Sequence, residues 1–222
     1  MKVLIFGATG GVGLALSSQA IAAGHTVTIL ARNPAKLPSS ISTASTVLKG
    51  DAVLDPAAVA SAVKGQDAIL VSLGGNSLLF RGYDCSKGTD NILAAIKASE
   101  GPPPRVLICS SMGASESAPF IPGFVRWMLK HPLADKDVQE AAVRAATGVP
   151  YVIIRPTGLN NEEAKGPGSL AAVVGGALPT SQISRKDVAA FMLAQLSSDE
   201  FLGKAVGVSW KAGVNKGSAY LG

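Results

Sequence analysis

Residues 2–6 are Lys2-Val3-Leu4-Ile5-Phe6, and they are followed directly by Gly7-Ala8-Thr9-Gly10-Gly11-Val12-Gly13. An apolar, β-branched run that breaks into a glycine-rich turn is typical of a nucleotide-binding βαβ unit. In such a turn one glycine allows the tight bend, one lets the backbone approach a pyrophosphate, and one lets the next helix pack closely on the strand. The N–H groups that begin this helix, together with the helix dipole, favour a bound phosphate.

The residues around the glycine motif support this interpretation. An amphipathic helix is predicted from Leu14 to Ala23, Gly24 ends it, and residues 26–30 form a second β-branched strand. The alternative is an ordinary strand-to-helix turn in which the glycines serve only steric needs. The order strand, motif, helix, strand favours the nucleotide site.

The residues after the second strand are Ala31-Arg32-Asn33-Pro34-Ala35-Lys36. A site for NAD usually has Asp or Glu about 20 residues after the glycines, where it binds the ribose 2′-hydroxyl. This stretch has no carboxylate, and the Arg32 guanidinium can bind a 2′-phosphate through two parallel N–H bonds, with Lys36 adding a second charge. The sequence therefore predicts NADP(H) as the cofactor. The alternative is a solvated basic loop without a ligand.

Composition restricts the class of protein. The chain has 222 residues, of which 47% are hydrophobic and 16% charged, so one folded domain with a large core is expected. The net charge of +5 is scattered, without the Lys/Arg run that would indicate nucleic-acid binding. Cys85 and Cys109 supply neither a disulfide framework nor a set of zinc ligands, so no metal site is expected. No signal peptide or membrane span is apparent, and we expect a cytoplasmic location.

Strands and helices alternate along the rest of the sequence. Strands are expected at 47–51, 68–73, 105–109, 151–155 and 205–209, and helices at 56–64, 86–99, 135–146 and 187–196. The alternation predicts an α/β fold, a doubly wound Rossmann-type parallel sheet with helices on both faces and ligands at the carboxyl ends of the strands. We expect a single domain over residues 1–222, with a small C-terminal substrate-binding lobe.

The chain resembles the atypical short-chain dehydrogenase/reductases, the NAD(P)H-binding group that includes the NmrA-like proteins and the biliverdin-IXβ and flavin reductases. Besides the two segments quoted above, the resemblance rests on Gly50-Asp51, Gly88–Ile92, Ile153–Leu159 and Ile183–Ala189. It covers nearly the whole chain. Its motifs are specific for the fold and for cofactor binding, but not for a substrate.

The resemblance implies cofactor roles for residues spread along the chain. From the pyrophosphate outward they are Gly7, Thr9, Gly10, Gly11 and Val12 at the pyrophosphate, Arg32 at the 2′-phosphate, Asp51 and Ala52 at the adenine, Leu73 and Gly74 beside the ribose, Ser110 near the nicotinamide, and Pro156, Thr157 and Gly158 closing over it.

The sequence departs from the classical members of the larger family in its proton donor. Those members carry Tyr-x-x-x-Lys on the helix after strand five, and the tyrosine delivers a proton to the carbonyl. Residues 112–146 contain no tyrosine. The spacing does occur from Tyr83 to Lys87, but it precedes strand five, and we interpret it as coincidence.

Three candidate proton donors stay open. Ser110 or Ser111 could orient a carbonyl oxygen, although an unassisted serine is a poor acid. Lys136 stands four residues before Glu140, a spacing found in NmrA-like relatives, so the two would pair on a helix; the alternative is a surface ion pair without a catalytic role. His131, in the expected substrate loop, could act as an acid near pH 7 or be incidental. Solvent could also supply the proton, as flavin reduction permits.

Two segments are candidates for the substrate pocket, at about 112–134 and 157–183. The first contains Phe120, Phe124, Trp127 and Met128, a cluster that suits a pocket for a flat or apolar molecule. Alternatively, Phe124, Trp127 and Met128 pack on the core as an amphipathic turn. The second is rich in Gly, Ala and Pro and could form the opposite lip.

The leading functional hypothesis is an NADPH-dependent reductase that transfers a hydride to a small conjugated or aromatic carbonyl, a quinone or a flavin-like substrate. The alternatives are a non-redox isomerase or cyclase on the same scaffold and an NADP(H)-sensing regulator of the NmrA type. A small molecule is the expected partner, and the chain is expected to be a monomer or homodimer. The fold alone does not choose among these functions.

Overall fold

The computed structural model describes residues 1–74 and 83–213. Its strands are β1 (Lys2–Phe6), β2 (Thr26–Ala31), β3 (Thr46–Lys49), β4 (Ala68–Val71), β5 (Arg105–Cys109), β6 (Tyr151–Pro156), β7 (Gly158–Asn160), β8 (Leu170–Val173), β9 (Gln182–Ser184) and β10 (Ala205–Trp210). Its α-helices are α1 (Gly11–Ala22), α2 (Ser39–Ser42), α3 (Pro56–Val63), α4 (Asp84–Ala98), α5 (Gly123–Met128), α6 (Lys130–Ala145) and α7 (Arg185–Ala194). Short 3₁₀ turns lie at Pro34–Lys36, Ser115–Phe120 and Pro167–Ser169.

Eight strands form one sheet in the order β3-β2-β1-β4-β5-β6-β10-β8. Ile5 of β1 lies opposite Ile29 of β2 on one side and Leu70 of β4 on the other. All neighbouring strands are parallel except β8, which runs antiparallel to β10 at the edge. The chain places β2 and β3 on one side of β1 and then returns to place β4 and the later strands on the other side. A crevice therefore opens between β1 and β4 at the carboxyl ends of the strands. The predicted Rossmann-type α/β fold is confirmed.

Helices cover both faces of the sheet because side chains alternate along each buried strand. Val3 and Ile5 belong to the same apolar cluster as Leu16 of α1 and Val188 of α7. Leu4 and Phe6 of the same strand belong to a second cluster, with residues of α3, α4 and α6. β1 is thus buried on both sides, as its continuous apolar sequence predicts.

The expected helices and central strands are present, and the largest shift in a boundary is at α6. This helix begins at Lys130 rather than at residue 135, so the segment 112–134, expected to be irregular or partly helical, contains α5 and the first turn of α6. Pro132 does not prevent this, because it falls in the first turn, where its missing N–H would have no partner within the helix. Asp55 caps α3 by accepting a hydrogen bond from the amide of Ala58 at 2.9 Å.

The expected C-terminal lobe is only partly separate from the main sheet. β7 and β9 form a two-stranded parallel sheet, but β8 joins the main sheet, with Ala171 opposite Ser209. The sequence did not reveal β7, β8 and β9, because these short strands lie in or beside a stretch rich in Gly, Ala and Pro that lacks clear alternation. Across residues 1–74 and 83–213, none of the helices combines the length and apolar character needed to cross a membrane.

Candidate active site

A cavity of about 640 Å³ lies at the carboxyl ends of the central strands. Eleven of the residues with a predicted cofactor role form part of its wall: Gly7, Thr9, Gly10, Gly11, Val12, Arg32, Asp51, Ala52, Leu73, Gly74 and Ser110. Pro156, Thr157 and Gly158 follow β6 or end it, but they are not part of this wall. Their predicted role over the nicotinamide stays a prediction.

The glycine turn is built by backbone contacts that a side chain would prevent. Gly7 has φ +79°, and a Cβ there would lie 2.5 Å from the carbonyl oxygen of Ser72. A Cβ on Gly13 would lie 2.1 Å from the carbonyl oxygen of Gly7. β1, α1 and the end of β4 therefore approach more closely than other residues would permit.

The N-terminus of α1 is open toward the cavity. Its N-cap, Gly10, supplies no side-chain hydrogen bond, and the first turn holds no acidic residue that would repel an anion. Free amides and the helix dipole at such a position bind phosphate. The residues present therefore fit the pyrophosphate of a dinucleotide.

Two cations, Arg32 and Lys36, line the cavity just after β2. Arg32 is 63% exposed at its side chain, and its Nε lies 3.9 Å from Oδ2 of Asp51. The other oxygen of Asp51 is held in a turn by the amide of Val53 at 2.7 Å. Lys36 also belongs to the wall. The guanidinium is exposed, and its predicted contact with a 2′-phosphate stays a prediction.

Residues of the Gly88–Ile92 motif support this wall from behind. Asn91 donates to the carbonyl oxygens of Ala52 and Val53 at 2.8 and 3.0 Å. A Cβ on Gly88 would lie 2.6 Å from Cδ1 of Leu73, so the glycine allows α4 to pack against that residue. This motif carried part of the family resemblance in the sequence. Only the structure shows that it holds residues of the cavity wall in place.

Ser110 leaves β5 at the other end of the cavity, above a buried ion pair. Its hydroxyl donates to Glu140 at 2.5 Å. Glu140 in turn accepts from Arg155 at 2.9 and 2.5 Å and lies 3.2 Å from Arg144. Because the Ser110 proton is directed at the carboxylate, the serine oxygen can only accept hydrogen bonds from a ligand in the cavity.

Lys136 belongs to the cavity wall but does not pair with Glu140. Its Nζ donates to the carbonyl oxygens of Leu73 and Cys109 at 3.0 and 2.9 Å, and to Gln139 Oε1 at 2.9 Å. The expected pairing with Glu140 is wrong, because Glu140 extends toward Arg155 of β6 whereas Lys136 reaches the ends of β4 and β5. The alternative of a surface ion pair is also wrong, since both side chains are buried.

Of the two remaining candidate proton donors, Ser111 belongs to the cavity wall and His131 does not. Ser111 lines the cavity, and its hydroxyl donates to the carbonyl oxygen of Met112 at 3.0 Å. His131 was expected in a substrate loop, but it lies in the first turn of α6 and is not part of the cavity wall. The loop placement was wrong because α6 begins at Lys130, and Pro132 lies in its first turn, where a helix tolerates proline.

The aromatic residues of the segment 112–134 do not line the described cavity. Phe124 and Trp127 are 71% and 67% exposed, so the interpretation that they pack on the core is wrong. No residue from 112–134 belongs to the described cavity wall, and from 157–183 only Leu159 does. Their role toward a substrate stays a prediction.

The two cysteines are buried near the same site. Burial raises the pKa of Cys109 to about 11 and also raises the pKa of Cys85. Both thiols are therefore protonated near neutral pH and are not thiolate nucleophiles.

Arg185 also lines the cavity, although sequence reasoning gave it no role. Its motif, Ile183–Ala189, carried part of the family resemblance, but it lies far along the chain from the glycine turn. Only the packing of α7 beside α1 brings the two together.

Comparison with known proteins agrees with this geometry. The model of a family described as NAD(P)H-binding matches residues 7–199. The reductase pytE of Aspergillus terreus is 28% identical, with 94% of this chain and 97% of that protein covered. YhfK of Bacillus subtilis, an uncharacterised sugar epimerase, is 29% identical over 88% of each chain. The structure of ChuY, an anaerobilin reductase from Escherichia coli O157:H7, superposes with a TM-score of 0.80 at 21% identity, covering 94% of this chain and 96% of that one.

The matched segment includes the glycine turn, the Arg32 loop, Ser110 and Lys136, and thus most of the cavity wall. The protein therefore belongs to the NAD(P)H-binding family of Rossmann-fold oxidoreductases, as an atypical short-chain dehydrogenase/reductase.

Proposed function

We propose that this protein is an NADPH-dependent reductase of a quinone or flavin-like acceptor, and that the proton required by the reaction comes from solvent. NADPH, when bound, supplies the hydride. The chain supplies a site that orients the reactants and leaves the acceptor's polar atoms in contact with water.

One observation carries the proposal: every proton on the candidate donors of the described cavity wall already has a protein acceptor. The Ser110 hydroxyl donates to Glu140, and the Ser111 hydroxyl to the Met112 carbonyl. The Lys136 ammonium has three protons, and its three hydrogen bonds use all of them.

This arrangement favours some acceptors over others. Hydride addition to an isolated ketone builds charge on one alkoxide oxygen, which needs a nearby acid. A quinone or flavin spreads the added charge over a conjugated system, and water can protonate it. The described wall therefore suits conjugated acceptors better than simple ketones.

The cofactor preference rests on Arg32 and Lys36. Both line the adenosine end, and the Arg32 side chain is largely exposed to the cavity and solvent. A guanidinium that is not closely paired can bind a 2′-phosphate with two hydrogen bonds. This supports NADPH over NADH.

The similarity to YhfK favours a second candidate, an epimerase that oxidises and re-reduces a sugar carbon. That reaction must remove a proton from a hydroxyl group, so it needs a base with a free lone pair and an accessible proton route. Within the described wall the Lys136 nitrogen is fully engaged in donating. The reductase is therefore the better supported of the two.

The test is NADPH oxidation by the purified protein against matched acceptors. Riboflavin, FMN and a menadione-like quinone form one set; a saturated cyclic ketone and an aliphatic aldehyde form the other. We expect turnover with the first set and at least a hundredfold lower kcat/KM with the second, about the contribution of one general acid. Equal turnover of the ketones would refute solvent protonation. Conversion of a sugar nucleotide without net NADPH oxidation would instead favour the epimerase.

A further inference from the structure

The Arg185 side chain lies flat against the first residue of α1. A Cβ built on Gly11 would lie 2.5 Å from Cδ and 2.8 Å from Nε of Arg185, and its next nearest neighbour is Cζ of the same side chain at 3.8 Å. The missing side chain of Gly11 is therefore the space that the arginine occupies. On its other side, Arg185 Nη1 donates to Oδ1 of Asn161 at 2.7 Å, which fixes the direction of the guanidinium.

The charge of Arg185 is not neutralised by a carboxylate in the described part of the chain. Its neighbours differ: Lys186 pairs with Glu163 at 2.6 Å, and Lys165 lies 3.4 Å from Glu162. Asn161, a neutral side chain, is the hydrogen-bond partner of Arg185. An arginine held by an amide keeps its full charge and most of its five N–H donors for a ligand.

This unneutralised charge lies where an anion is expected. Arg185 lines the cavity together with Thr9, Gly10 and Gly11. The amides at the start of α1 point toward the same space, and the helix has no acidic residue in its first turn. Backbone amides and a guanidinium that meet at one point form a site for a phosphate with two negative oxygens.

We infer that Arg185 binds the pyrophosphate of the dinucleotide, and that Gly11 is required so that the arginine can reach it. The phosphate site thus combines backbone amides from the glycine turn and α1 with one side chain from α7. The inference rests on NAD(P)H binding and is independent of which acceptor is reduced.

The test measures dissociation constants of NADPH and NADH without any acceptor, for Arg185→Ala, Arg185→Lys and wild type. NADPH and NADH carry the same pyrophosphate, so Arg185→Ala should weaken both by the same factor, about tenfold or more, as for a charge-assisted hydrogen bond. Arg185→Lys should recover part of the loss. Lys186→Ala, at the next position but paired with Glu163, is the matched control and should change neither constant.

Three results would overturn the inference. Unchanged dissociation constants in Arg185→Ala would exclude contact with the cofactor. A loss confined to NADPH would place Arg185 at the 2′-phosphate instead. An effect seen only as a higher KM for FMN, with riboflavin unaffected, would place it at a substrate phosphate. If the wild type bound neither cofactor, the cofactor assignment itself would fail, which is distinguishable from all three.

The role of Gly11 is tested by a double-mutant cycle. Gly11→Ala should displace the Arg185 side chain and weaken both cofactors, but it should add little in the Arg185→Ala background. Additive losses would show that Gly11 does not act through Arg185. Circular dichroism and thermal unfolding of each variant confirm that the fold is retained.

Discussion

Arg155 and Glu140 form a bidentate ion pair beneath the cavity, with Nε and Nη2 donating to the two carboxylate oxygens at 2.9 and 2.5 Å. Both side chains are buried, and the pair connects β6 to α6. The same carboxylate accepts the Ser110 hydroxyl. The orientation of a cavity residue therefore depends on a buried pair that is not part of the described cavity wall.

Glu140→Gln should destabilise the protein. It leaves the buried Arg155 with Glu116 as its remaining carboxylate partner, and loss of one member of a buried pair costs about 3–5 kcal/mol. Urea denaturation measures the change in the free energy of unfolding. Glu163→Gln removes an exposed pair with Lys186 and should change the free energy of unfolding by less than about 1 kcal/mol. Equal, small effects of both substitutions would contradict the role given to the buried pair.

Ser110→Ala should lower kcat/KM without changing the shape of its pH dependence. The serine oxygen can only accept from a ligand, so its loss removes one hydrogen bond, about tenfold in rate. The pH profile from 6 to 9 measures this, and Ser111→Ala is the comparison at the neighbouring hydroxyl. A basic limb that disappears in Ser110→Ala would show instead that the serine takes part in proton delivery.

Arg32→Ala should change the cofactor preference. Loss of a bidentate guanidinium–phosphate contact should raise the dissociation constant for NADPH about 10- to 100-fold, while that for NADH stays within about twofold. Titrations followed by nicotinamide fluorescence measure both constants. Lys36→Ala should have the same direction but a smaller effect, because an ammonium is a less directional partner. Parallel losses for the two cofactors would remove the argument for NADPH.

Gly13→Ala should abolish cofactor binding and destabilise the fold by more than about 2 kcal/mol. The new Cβ would meet backbone atoms of Gly7 and Ala8 at 2.1 and 2.7 Å, and backbone cannot rotate away as a side chain can. Gly123→Ala is the control, since no atom lies within 4 Å of its Cβ position. Thermal unfolding and an NADPH titration compare the two. A stable Gly13→Ala variant that binds NADPH would contradict the close packing of α1 on β1.

Stability should fall on acidification through Glu116. Hydrogen bonding from Arg155 lowers the pKa of Glu116 from about 4.5 to about 2. Because the folded-state pKa is depressed, the stabilisation is present above pH 4.5 and is lost as the pH falls toward 2. Glu116→Gln should flatten this part of the curve of unfolding free energy against pH. The effect is modest, since the side chain is 55% exposed to solvent. An unchanged slope in the variant would exclude this contribution.

The sequence alone was sufficient for the fold, and eleven of the fourteen residues with a predicted cofactor role line the described cavity. An apolar strand that ends in glycines, followed by a helix, has few alternative structures, because local sterics and the helix dipole act within a dozen residues. The Arg32 loop lies at the end of the next strand, so its position follows from the same unit. These residues are close in space because they are close along the chain.

Tertiary structure decided which hydrogen-bond and ion-pair partners the polar side chains of the site have. The spacing of Lys136 and Glu140 predicts a pair, but neighbouring strands offer each a better partner, two strand-end carbonyls for the lysine and Arg155 for the glutamate. Arg185 reaches Gly11 only because α7 packs beside α1. Sequence patterns report which groups a local element presents. Which of them meet depends on how distant elements pack, and burial then forces each polar group to find a partner.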